Sequence, residues 1–317
     1  MTYPSAAKTI PFRLERSTLF VPAFRWSMIE KAVSSLADAV CIDLEDSVAP
    51  EEKIASRVNV IRAFRELDFG KRTRMFRIND VETPFAYRDV IEIVEAAGDQ
   101  LDLIMLPKTN SPDDVRFLDK LLTQVEAQCG FSRRIGIEAQ IETAAGFLNV
   151  AETAQASARL EALIFGRLDY ATSMQIPSVE IGEFDPHDDI YSRYLWQPVM
   201  HSIVASARAN GLRCLDGPYV AHQDTGGLER SCSIARALGF DGKQCIHPNQ
   251  LSITNSIFTP PSHEVTYAEQ LLGAYENAVA EKKGVISVNG KMVDAASVRM
   301  AQNILKKTQL IMSRTHD

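Results

Sequence analysis

The sequence contains no run of about 18 consecutive apolar residues, so it offers no candidate for a membrane-spanning helix. Its polar beginning, MTYPSAAKTIPFRLER, also lacks the apolar stretch of a secretory signal. Together these absences point to a soluble, cytoplasmic protein with no membrane partner. Cysteine is sparse: there are five, with no CxxC pairing. Cys41, Cys214 and Cys245 lie inside apolar strand-like runs, where a reduced thiol packs as a small hydrophobe. Cys129 and Cys232 complete the set, and neither a disulfide framework nor a zinc site is indicated. Surplus positive charge is missing too. The formal net charge of -7 argues against general nucleic-acid affinity, which needs a local cationic excess. There is no nucleophile-elbow GxSxG and no Ser/His/Asp ordering. Internal repeats and low-complexity tracts are likewise absent.

What is present is enough apolar material for a sizeable core. The chain has 317 residues, 45% hydrophobic and 24% charged, which suits one large domain with an appendage or two ordinary domains. Short β-branched and apolar runs recur between longer amphipathic stretches. Eight such runs end at Pro22, Leu44, Asn79, Lys108, Glu142, Gly166, Asp216 and His247, and each is followed by a helical pattern. Ser111-Pro112-Asp113-Asp114 is a helix start: Ser caps, Pro takes the first helical position, and the acids meet the positive helix end. Eight alternations predict an α/β protein with a closed (β/α)8 barrel, with a doubly wound open sheet as the alternative.

After His247 the pattern changes. Pro260-Pro261 breaks the chain, Ser262 caps a long helix running to about Lys283, and the hairpin-like VISVNGKMV precedes a last helix. The expected organisation is a barrel domain over 1–255 and a C-terminal helical lid or arm over 256–317. The longest connection without periodicity runs from Tyr170 to Tyr194, and long loops are often functional.

In a barrel, side chains at the carboxyl ends of the strands converge on one face. That rim would carry Glu45 and Asp46, Arg77, Lys108, Glu142, Asp169, Asp216 and His247. Acids outnumber bases, and converging carboxylates repel unless a cation or protons neutralise them. An all-oxygen set suits Mg²⁺, or Mn²⁺, rather than zinc, and Mg²⁺ commonly takes one or two protein carboxylates. Glu142 and Asp169 match that number. Each residue also has a plainer reading. Glu142 sits before a helical stretch that it can cap, and Asp169 sits before a loop. Asp43, Glu45 and Asp46 read as a solvated turn or a cap for the helix near Pro50. Arg77, inside an apolar strand, needs an anionic partner and can be a structural ion pair. Lys108 can be a rim charge in solvent, and His247 a hydrogen-bonded structural residue.

Seven stretches, taken in order and spacing, add a resemblance: LFVPAFRWSMIEKA, DAVCIDLEDSVAPEEK, FRINDVETPFAYRDV, IMLPK, IEAQIETAAGFLNVAETAQASARLEALIFGRLDY, LDGPY and GFDGKQCIHPNQ. Over nearly its whole length the chain resembles the malyl-CoA lyase group of the citrate lyase beta-subunit family. The resemblance implies a β/α barrel that cleaves a carbon–carbon bond in a CoA thioester, with Glu142 and Asp169 as Mg²⁺ ligands. It implies that Arg77 meets the oxygen where negative charge develops, and that Phe20, Arg25 and Lys31 hold CoA. Glu45 and Asp46 match carboxylates that orient metal-bound water. Asp294 matches an acid that a C-terminal lid delivers to a neighbouring subunit, in a homotrimer or homohexamer. The expected partners are a CoA-thioester substrate and a small 2-oxo acid. Two positions depart from the pattern. Ala23 and Trp26 replace a Gly and a Pro in the first loop, where Trp26 either stacks on adenine or fills the loop. Leu168 replaces an acid before Asp169.

Whether the acceptor is glyoxylate or pyruvate, and the donor acetyl- or propionyl-CoA, turns on one methyl group in each case. A thioesterase on the same scaffold, a pyruvate-type aldolase acting on free acids and a non-catalytic CoA-binding protein are the rival readings.

Overall fold

The computed structural model describes residues 10–176, 195–280, 286–288 and 291–315. Eight parallel strands close into a barrel in sequence order: β1 Ser17–Pro22, β2 Ala39–Asp43, β3 Thr73–Arg77, β4 Leu103–Leu106, β5 Gly136–Ile141, β6 Leu160–Phe165, β7 Arg213–Asp216 and β8 Gly242–Cys245. Pairing of β1 with β8 closes the ring and excludes the doubly wound sheet. The strands read as continuous apolar runs because both faces are covered; every residue of β2 and β6 is buried.

The helices between and after them are α1 Trp26–Val33, α2 Lys53–Glu66, α3 Ala86–Ala97, α4 Pro112–Cys129, α5 Ala144–Leu148, α6 Val150–Thr153, α7 Arg167–Ser173, α8 Gln197–Ala209, α9 Thr225–Leu238 and α10 Leu251–Phe258. The start read from Ser111-Pro112-Asp113-Asp114 is the start of α4. The Ser111 hydroxyl accepts from the Asp113 amide at 3.2 Å, and the Asp114 carboxylate accepts from the Ser111 amide at 2.8 Å. The helix stops at Gly130, whose φ of +72° is the left-handed conformation that glycine adopts without a Cβ clash.

Side chains alternate along each strand, so the register decides what meets inside the barrel. Cys41, Met75, Leu103, Met105, Ile164 and Leu215 form the central apolar layer, with Phe20 packed against it. Towards the amino-terminal ends lies an ionic layer around Arg213. Its guanidinium reaches Glu138 at 2.7 Å and both Glu15 and Glu161 at 3.2 Å. At the carboxyl ends the same faces continue into Asp43, Arg77 and Glu142, and between floor and mouth the apolar layer also carries the buried pair Gln244 and Gln140, 3.2 Å apart.

The chain separates into two compact units, 1–255 and 256–317. In the second, α11 Ser262–Ala280 and α12 Ala295–Thr315 flank the antiparallel pair β9 Ile286–Val288 and β10 Lys291–Val293. These elements share a core of Ala268, Leu271, Val288, Val293, Val298 and Ala301. Of the long connection from Tyr170 to Tyr194, residues 177–194 lie outside the described residues. No described helix is long and apolar enough to cross a membrane.

Candidate active site

The parallel register sets Asp43 of β2 directly beside Arg77 of β3. The guanidinium donates from Nε at 2.6 Å and from Nη2 at 2.7 Å to the two oxygens of Asp43, a bidentate pair buried at the barrel mouth. Burial opposes the charge on Arg77, but the carboxylates of Asp43 and Glu45 outweigh it and hold the guanidinium more firmly protonated than usual. Burial likewise opposes ionisation of Asp43, and Arg77 reverses that, keeping its carboxyl below the ordinary value. Asp43 is therefore not the solvated turn residue expected from sequence. It fixes Arg77, and it also accepts from the amides of Glu45 at 2.9 Å and Ser47 at 3.2 Å, shaping the loop after β2. The signal that could have found it was parity, since Cys41 and Asp43 lie on the same inward face.

Glu45 is buried and Asp46 exposed. Glu45 sits 3.1 Å from Arg77 Nη1 and bonds the Lys108 ammonium, which also reaches Asp46 at 3.0 Å. Burial, reinforced by Asp46, pushes the Glu45 carboxyl up to about 7 against the pull of Arg77 and Lys108. Lys108 is thus no solvent-facing rim charge. Its backbone amide also donates to Glu142 Oε1 at 2.7 Å.

Glu142 follows β5 and is wholly buried. It does not cap the next helix; Thr143 does, accepting from the Gly146 amide at 2.9 Å. Gln140 donates to the other oxygen of Glu142 at 2.5 Å. Burial raises the Glu142 carboxyl to about 8; Arg77 pulls it down and the charge of Asp169 pushes it further up. Asp169 is half-buried and lies in the first turn of α7 rather than ahead of a loop. No described residue donates a hydrogen bond to its side chain.

Two neighbouring acids, one fully buried and the other without a donor among the described residues, form a pair whose repulsion a divalent cation would relieve. No group of three or more possible ligands occurs among the described residues. A two-carboxylate, all-oxygen set fits Mg²⁺, which keeps its remaining positions for water and substrate.

Gly166, between β6 and α7, reads in the sequence only as the end of the sixth apolar run. A Cβ there would stand 2.3 Å from Glu142 Oε2 and 2.5 Å from Glu142 Cβ. Gly166→Ala should therefore displace the Glu142 carboxylate and lower kcat by about 100-fold, the cost of an ångström-scale misplacement, while circular dichroism stays unchanged. Wild-type kcat in that variant would refute the close approach.

The other expected residues divide. Phe20 lies inside the barrel with its ring 5.3 Å from the Arg77 guanidinium. Arg25 precedes α1 and lies over the Phe24 ring at 4.8 Å, and Lys31 is exposed in the last turn of α1. Trp26 carries the guanidinium of Arg62 from α2 at 3.8 Å, and Ala23 is buried with its carbonyl accepting from Asn59 at 2.9 Å. Asp216 turns away from the mouth: register pairs it with Lys243, and both are fully buried, with Arg167 adding a contact at 3.1 Å. The His247 ring accepts from the Asn249 amide at 3.2 Å, the structural role that the sequence allowed. Asp294 belongs to the second unit, where it caps α12 by accepting from the Ser297 amide at 2.7 Å and hydroxyl at 2.8 Å. Those bonds lower its carboxyl below the ordinary value.

Residues 16–248, which span the whole barrel, match the model of the HpcH/HpaI aldolase/citrate lyase family. The chain belongs to that family. It is a carbon–carbon lyase, malyl-CoA lyase-like in sequence. It is 38% identical over 309 residues to the L-malyl-CoA/beta-methylmalyl-CoA lyase of Cereibacter sphaeroides, covering 95% of this chain and 96% of that one. It is also 35% identical to the (3S)-malyl-CoA thioesterase of the same species, with 93% and 95% covered. Among solved structures, the lyase resembles the Mycobacterium tuberculosis protein CitE in complex with magnesium, acetoacetate and coenzyme A. The TM-score is 0.69 at 27% identity, covering 92% of this chain and 97% of that one.

Proposed function

We propose that the lyase cleaves a (3S)-malyl-CoA-like thioester, with Mg²⁺, into glyoxylate or pyruvate and acetyl-CoA or propionyl-CoA. The observation that carries this reading is the buried carboxylate of Glu142 beside Asp169, with the Asp43-anchored guanidinium of Arg77 at the same mouth. Glu142 and Asp169 would hold the cation. Bound there, Mg²⁺ supplies Lewis acidity that lowers the pKa of the substrate hydroxyl and orients the malyl unit.

Cleavage takes the proton from the β-hydroxyl, breaks the α–β carbon bond and leaves its electron pair on the thioester as an enolate, which a proton then quenches at the α carbon. Arg77 has five N–H donors. Asp43 takes two, and Glu45 and Asp46 lie against Nη1 at 3.1 and 3.5 Å, so the second N–H of Nη2 is the donor left for the enolate oxygen. Glu45 and Asp46 would orient water beside the cation. Phe20, Arg25 and Lys31 receive the CoA portion, and the Arg62 stack on Trp26 leaves one indole face for adenine at most. In the reverse direction Asp294, brought by the lid of a neighbouring copy in a trimer or hexamer, removes the α proton. Water is excluded so that the enolate survives.

The second reading is hydrolysis to malate and free CoA, favoured by the 35% identity to the thioesterase. One assay decides between them: malyl-, methylmalyl- and citramalyl-CoA, each with Mg²⁺ or with a chelator. The expected products are glyoxylate or pyruvate with an acyl-CoA, lost on chelation. Malate with free CoA would sink the lyase reading.

A further inference from the structure

Among the described residues two non-glycines have a left-handed backbone, Gln175 after α7 and Lys108, which lies at the barrel mouth with φ +44°. Such a conformation is unfavourable for a lysine and persists only where its surroundings over-determine it. Here they do. The strand β4 enters through Leu106, Thr109 donates from its amide to the Gln140 carbonyl at 3.1 Å, and the Thr109 hydroxyl returns to the Leu106 carbonyl at 3.2 Å. The turn aims the Lys108 amide at Glu142 Oε1 while the side chain runs the other way, to Glu45 and Asp46. One residue thus holds three of the carboxylates that face the mouth.

We infer that Lys108 is a positioning residue that reserves Glu45 and Asp46, holding both acids on its ammonium so that they do not collapse onto the cation between Glu142 and Asp169. The positions of the cation that substrate oxygens need then stay open. The inference rests on the metal assignment proposed above. Among the described residues, five acids, Asp43, Glu45, Asp46, Glu142 and Asp169, share this mouth with Arg77, Lys108 and Lys53, whose ammonium bonds the Leu44 and Glu45 carbonyls at 2.9 and 2.8 Å. Removing Lys108 makes the site more negative and leaves Glu45 and Asp46 against Arg77 Nη1 alone, at 3.1 and 3.5 Å. A merely structural lysine would loosen metal and substrate together; a reserving lysine predicts opposite signs.

The test uses the full-length protein and Mg²⁺ alone, followed by calorimetry without substrate, alongside kcat and KM with malyl-CoA. Lys108→Gly suits the positive φ and keeps the backbone donor; Lys108→Met removes the same charge with a side chain of similar length; Lys108→Arg keeps the charge. We expect Lys108→Gly and Lys108→Met to bind Mg²⁺ about threefold or more tighter than wild type, as loss of a nearby positive charge dictates. In the same two variants kcat should fall by roughly tenfold or more. Lys108→Arg should restore both values to near wild type. Mg²⁺ binding in Lys108→Gly that is unchanged or weaker overturns the inference whatever the activity. A wild type that binds Mg²⁺ but does not cleave the thioester overturns the proposed function instead, and the metal titration still decides the role of Lys108.

Discussion

Asp169→Asn is expected to lower kcat by about a thousandfold or more, because the Lewis acidity it helps to hold is worth several kcal/mol in the transition state. The fold should survive. Asp169 is half-buried and takes no hydrogen bond from a described residue, so its amide changes metal-free stability by less than about 1 kcal/mol. Two measurements check this. Steady-state assay reports the lost turnover, and thermal unfolding with and without Mg²⁺ reports whether the cation still stabilises the native state. In the wild type, Mg²⁺ at a hundred times its dissociation constant should add about 2.7 kcal/mol, and the variant should lose most of that. Glu142→Gln should behave alike in turnover. An Asp169→Asn or Asp169→Ala protein that cleaves malyl-CoA at the wild-type rate would remove Asp169 from the metal site.

Arg213→Met should produce the largest loss of stability, about 3–5 kcal/mol by urea unfolding, since it strands buried carboxylates at the floor of the barrel. Arg213 is close to all of Glu15, Glu138 and Glu161. Even with it present, burial and the neighbouring Glu15 push the Glu138 carboxyl well above the ordinary 4.5, against the pull of Arg213. The sign of the pH dependence follows. In the unfolded chain Glu138 gives up its proton near 4.5, whereas in the folded variant it keeps it to higher pH. Folding therefore binds the extra proton over that interval, and stability falls as pH rises above about 4.5. The penalty of Arg213→Met should be smaller at pH 5 than at pH 8. Equal penalties at the two pH values would show that the floor carboxylates do not carry the cost.

The barrel was legible because its strands are apolar on both faces and its helices announce their starts. The run AVCIDL reads as a buried strand by composition alone, and Ser111-Pro112-Asp113-Asp114 marks a helix by capping chemistry. Glu142, Asp169 and Arg77 were legible as candidates because they end or follow apolar runs. Their plainer alternatives could not be dismissed from the chain: a helix cap for Glu142 fails only because Thr143 takes that position. Asp43, Lys108 and Gly166 were missed or discounted for a common reason. Their roles are relations between strands, and a sequence lists neighbours along the chain rather than across it.

By itself, then, the sequence determined the alternation of eight strands with helices, the acidic rim and the family to which the motifs belong. The alternation and the rim follow from periodicity, capping and local composition, which act within a few residues; the family follows from the resemblance of seven stretches in order and spacing. Only the tertiary structure decided that Asp43 grips Arg77, that Lys108 joins Glu142 to Glu45 and Asp46, that Asp216 turns away to Lys243, and that Gly166 leaves room for a carboxylate. Each of these depends on barrel register, which sets side chains from distant segments within about 3 Å of one another, where hydrogen bonds and charge pairing take effect.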